Sequence, residues 1–118
     1  MGMLSSKLRS WAHGNQEGLI YWCQGCNSHH HIITKGPGAW GWNGDAERPV
    51  FTPSVLVQRP ANPDAGEGFE EYRTALRCHT FVGCNGAQPG EVIFLSDCSH
   101  ALAGTVQPLP DLPSHARE

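Results

Sequence analysis

At 118 residues the chain fits one domain, and with 39% apolar and 16% charged residues it gains from a covalent or metal staple as well as from a core. A formal net charge of −3, with its eight Lys and Arg scattered along the chain, excludes a broad basic surface for nucleic acid. Fourteen Gly and nine Pro favour short strands and turns over long helices, and no run approaches the roughly 18 apolar residues of a membrane span.

The first residues carry Lys7, Arg9 and His13 and lack the apolar core of a secretory signal. A cytoplasmic location is therefore expected, where thiols stay reduced. Five cysteines, an odd number, suit that compartment, and their clustering with His points to metal rather than to disulfides. Residues 19–22 read as a strand feeding the turn Cys23-Gln24-Gly25-Cys26, and 31–34 as the strand leaving it. Residues 36–38 are a turn. The alternation of Trp40-Gly41-Trp42 suits a strand with both indoles on one face. The segment 49–53 is extended, because each proline biases its predecessor away from helix, and 54–57 continues as a strand. Residues 59–68, rich in Pro, Asn, Asp and Gly, form an exposed loop. Strands at 74–82 and 91–95 make a second hairpin around the turn 83–90. A short helix near 69–72 and one helical turn at 100–104, ending at Gly104, are the only helical candidates. This gives a mostly β, zinc-ribbon-like domain over 1–107, followed by a mobile Pro-rich tail over 108–118.

Cys23 and Cys26 are the firmest pair of ligands, since a tight turn aims two thiolates at one spot. A redox Cys-x-x-Cys wants a helix starting at the motif, and here a His run and a β-branched strand follow. The expected zinc site is Cys23, Cys26, Cys78 and Cys98, with His79 or His100 as the alternates. Neighbours on a strand face opposite ways, so Cys78 and His79 should not reach one ion together. Cys84, among turn residues, reads as a free surface thiol. Within His29, His30 and His31, one ring could donate a hydrogen bond to a metal thiolate.

Trp22-Cys23-Gln24-Gly25-Cys26 with His29, the segment around Trp42-Asn43-Gly44-Asp45, Pro49, Phe51, Pro53 and Ser54, the run Cys78-His79-Thr80-Phe81, and the segment from Phe94 to Gly104 together resemble a family of small phage and prophage proteins of uncharacterised function. Such proteins are sometimes mislabelled ammonia monooxygenase. The resemblance covers about Lys7 to Pro110 and implies a phage-encoded zinc-binding domain, placed in the host cytoplasm. Gln24 departs from the proline usual after the first Cys, and Cys84 has no counterpart.

Three functions compete at this level. The favoured one is a non-enzymatic zinc-binding accessory protein that acts on a protein partner, such as a component of a host defence system. The second is a metal-dependent hydrolase with an open zinc position, for which Asp97, His79 and His29 are the weak catalytic candidates. The third is a zinc-ribbon nucleic-acid binder, which the charge balance disfavours.

Overall fold

The computed structural model describes residues 2–117; Met1 and Glu118, the outer ends of the two expected spans, lie outside the described residues. Eight strands form two antiparallel sheets, and no α-helix occurs among the described residues. The mostly β class expected from the Gly and Pro content is the class observed. No helix among the described residues is long and apolar enough to cross a membrane.

The first sheet runs β1 (Arg9–His13), β2 (Gln16–Cys23), β3 (Ser28–Lys35). β2 and β3 pair down to Cys23 opposite Ser28, so the Cys-x-x-Cys segment is the turn of this hairpin. Side chains alternate as a pleat requires. Leu19, Tyr21 and Cys23 point inward from β2, and His30 and Ile32 from β3. β1, which the sequence did not announce, pairs along the other edge of β2.

The second sheet runs β4 (Gly41–Trp42), β5 (Phe51–Arg59), β6 (Leu76–Val82), β7 (Glu91–Phe94), β8 (Val106–Pro108). β6 and β7 are the expected second hairpin. Phe51, Val55, Val82, Val92 and Phe94 from this sheet bury against Leu19, Tyr21 and Ile32 of the first, with Trp40 and Trp42 packed partly against the same core. The Tyr21 and Phe51 rings meet at 5.6 Å between centroids. Truncating a phenylalanine buried like Phe51 costs about 3–5 kcal/mol.

Two departures from expectation follow from packing. The Pro-rich stretch expected to be mobile is docked through its first half. Its first residue, Pro108, ends β8 (Val106–Pro108) at the sheet edge, where the missing proline N–H costs no ladder bond. Beyond it Leu109 and Leu112 are each 1% exposed, and Leu112 N–H donates to Ser6 O at 2.9 Å. Burying a leucine contributes about 1.5–3 kcal/mol, which offsets the cost of ordering the stretch. The second departure lies in β5. The step from Phe51 to Val55 faces only the step from Val82 to Thr80 on β6, so the intervening residues bulge. Ser54 sits in that bulge. Bulges re-aim side chains.

Candidate functional site

Strand alternation on β6 sends Cys78 inward, where it is 1% exposed, and His79 outward. Two separate sites result, one on each side of the strand. Inside, the sulfurs of Cys23, Cys26 and Cys78 and a ring nitrogen of His100 all lie within 4.8 Å of one another. Cys23 Sγ is 3.7 Å from Cys78 Sγ, and His100 Nε2 is 3.4 Å from Cys78 Sγ. A zinc tetrahedron with ordinary bond lengths has edges of about 3.8 Å between sulfurs and about 3.5 Å between sulfur and nitrogen, so the donor set fits a metal ion. The turn supports it: Cys26 N–H points at Cys23 Sγ at 3.4 Å. Gly25 is required there, because a Cβ would run into the His100 ring.

The thiols are electrostatically crowded. Bonds from Cys26 and then Cys78 hold the Cys23 thiol far below the usual range against the effect of burial, and the buried His30 adds to this. Their counterparts move the other way. Cys26 is pushed up to about 12, chiefly by its bond to Cys23, and Cys78 is pushed up for the same reason. A divalent cation is the charge that lets all three ionise together.

Outside, Ser54 Oγ lies 3.0 Å from His79 Nε2, and His79 Nδ1 lies 3.3 Å from Asp97 Oδ2. With the proton on Nδ1, the imidazole accepts from the serine hydroxyl and donates to the carboxylate. This is the serine–histidine–aspartate arrangement in which a base relays the hydroxyl proton and a carboxylate fixes the ring. The His79 and Asp97 side chains keep 25% and 39% of their surface exposed, so a substrate can reach them.

Several bonds pin the parts. Leu95 N–H donates to His79 O at 2.9 Å, and Ser99 N–H to Arg77 O at 2.8 Å, which zips the segment carrying Asp97 along β6. Cys98 Sγ accepts from His79 N–H and donates to His79 O, both at 3.3 Å. Arg77 Nε donates to the same Asp97 oxygen at 2.8 Å. Slight burial works to raise the Asp97 carboxyl, but the bonds from Arg77 and His79 outweigh it and hold it below the usual carboxylate range.

The residues singled out in the sequence thus separate. Cys23, Cys26 and Cys78 come together, and His100, named as an alternate, completes their cluster. Cys98 lies outside it, its thiol turned to the His79 backbone, so the four-thiolate set differs from the observed cluster in that member. His79, the other alternate ligand, faces away from the thiol cluster because it follows Cys78 on a regular strand. Of the catalytic candidates, His79 and Asp97 meet. His29 does not join them: it is exposed on β3, opposite Trp22. Cys84 is half-buried rather than on the surface, its thiol 3.5 Å from Phe51 O and raised by desolvation. The sequence reading missed Ser54 as a reacting group. No Gly-x-Ser-x-Gly elbow surrounds it, and the order Ser, His, Asp along the chain differs from the chymotrypsin, subtilisin and α/β-hydrolase orders.

The family model described as "Bacterial ubiquitination-like system serine protease (BubE)" matches residues 5–89. That span holds Ser54, His79 and the three clustered thiols, while Asp97 and His100 lie beyond it. No curated protein and no solved structure matches the chain.

Proposed function

This chain belongs to the BubE family of a bacterial ubiquitination-like system, and from that premise we propose that it is a serine peptidase whose nucleophile is Ser54. The observation that carries the reading is the Ser54 Oγ to His79 Nε2 contact of 3.0 Å, continued to Asp97. Ser54 Oγ attacks the carbonyl carbon of an amide bond while His79 Nε2 takes its proton. His79 then returns the proton to the departing amine, and the acyl group stays on Ser54 until water, deprotonated by the same ring, releases it. Asp97 keeps the ring in the required tautomer and stabilises its charged form, and Arg77 holds Asp97 in place.

Cys23, Cys26, Cys78 and His100 would hold a zinc ion, which supplies a structural clamp. Four protein donors would complete the coordination of such an ion, which leaves the hydrolytic chemistry to the opposite face of β6. Such a clamp would tie the β2–β3 turn to β6 and to the segment after Asp97, and so would hold two of the three reacting residues in register. The partner this reading implies is a protein substrate of the same system, in line with the family description.

The test is covalent. A fluorophosphonate probe is expected to label Ser54 stoichiometrically, as read by peptide mass spectrometry, and Ser54→Ala to abolish labelling. A probe that ignores the folded protein, or attaches elsewhere, overturns the reading.

A further inference from the structure

Among the described residues β4 pairs with β5 only at Thr52 and Phe51, so from Ser54 to Arg59 β5 has a strand neighbour on one side alone, β6. The polarity of the other side is fixed by β6. His79 gives its carbonyl to Leu95 N–H and its own N–H to Cys98 Sγ, so its backbone faces β7. Alternation along an antiparallel ladder then turns Cys78 and Thr80 toward β5, where they pair with Val57 and Val55. The N–H and C=O groups of Leu56 and Gln58 must point the opposite way, off the open edge. None of these groups bonds to another described residue.

Proteins ordinarily blunt such an edge with charge, proline or a bulge. Here the bulge comes before Val55, and Val55, Leu56 and Val57 continue as plain strand formers up to Gln58. Trp40 closes the edge at its catalytic end, its indole N–H donating to Ser54 O at 3.1 Å. Leu56 is 42% exposed and is the register partner of His79, so its side chain stands beside the imidazole on the outer face. An unpaired stretch of backbone therefore leads straight to the nucleophile.

Resting on the peptidase reading, we propose that the substrate is an extended, unpaired stretch of polypeptide that adds to β5 as an extra strand. Its backbone bonds to Leu56 and Gln58, and an apolar side chain near the scissile bond packs on Leu56. The two docking residues lie about 7 and 13 Å from Ser54 along the strand, so the recognised element is a protein tail or unfolded segment about five residues long or longer. A segment already committed to a helix or sheet has no free backbone to offer.

The test uses the full chain with zinc and a library of unstructured fluorogenic octapeptides. The best-cleaved peptide is resynthesised with a single N-methyl group at each backbone nitrogen in turn. Loss of one strand bond is expected to lower kcat/KM about tenfold at alternate positions on one side of the scissile bond, with the positions between them little changed. Gln58→Pro, which removes an N–H directed off the sheet, is expected to lower the same ratio about tenfold, and should the variant fail to fold the methyl scan stands by itself. Equal tolerance at all positions, losses without alternation, or a protein whose Ser54 reacts with fluorophosphonate yet cleaves no octapeptide each overturns the strand proposal and leaves the peptidase reading intact. Failure of the fluorophosphonate to label Ser54 overturns both.

Discussion

The two faces of β6 differ in what they ask of the protein. The inward face, around Cys78, gathers three sulfurs and an imidazole in a buried cluster. The outward face, around His79, gathers a hydroxyl, an imidazole and a carboxylate that remain partly exposed. One residue of strand separates them. Buried sulfurs with competing charge suit a structural clamp, whereas partly solvated groups with matched hydrogen bonds suit reaction. The same pleat that separates the thiol cluster from Ser54 makes the placing of His79 depend on the strand that carries Cys78.

The largest effects should come from the inner face. On the zinc reading, a strong chelator under reducing conditions should take away binding energy of about 10 kcal/mol, comparable with the whole stability of a small domain. Loss of the thermal unfolding transition together with Ser54 labelling is expected, and Cys23→Ala should behave alike. A chain that stays folded after stripping would break the division between faces. Substitution on the outer face should do the reverse. Ser54→Ala is expected to lower kcat about a thousandfold or more with the melting temperature unchanged. Asp97→Asn replaces the charged acceptor that fixes the ring by a neutral amide and should lower kcat by about 10²–10⁴-fold, again with little change in melting.

Smaller effects sharpen the boundary. Cys98 touches the His79 backbone rather than the metal cluster, so Cys98→Ala should keep one zinc per chain by elemental analysis while costing about 1 kcal/mol of stability. His100→Ala should instead weaken zinc binding. If the two outcomes are exchanged, the ligand set is the four-thiolate one. The mildest change is Arg77→Ala. Losing that guanidinium should move the Asp97 carboxyl upward toward its ordinary range, followed by carboxyl NMR across acidic pH, and should slow turnover by less than about tenfold.

The Cys23-x-x-Cys26 turn was legible because both ligands come from one local turn, and the spacing states the geometry. The flanking hairpin, the β6–β7 hairpin and the extended segment leading to Ser54 were legible for the same local reason, through alternation, glycine and proline. β8 and the docking of Leu109 and Leu112 were not, because proline composition reports local stiffness and says nothing about two leucines finding a core.

What the sequence determined by itself was the class of the fold, the Cys-x-x-Cys turn of the first hairpin and the opposite facing of Cys78 and His79. Tertiary structure alone decided that His100 rather than Cys98 meets the thiols, and that Ser54, His79 and Asp97 converge across separations of 25 and 18 residues. The physical reason is range. A Cys-x-x-Cys pair is constrained by chain geometry over four residues, whereas the Ser54–His79–Asp97 array requires only that three distant side chains meet in space, and here a bulge in one strand and the segment returning along another supply them.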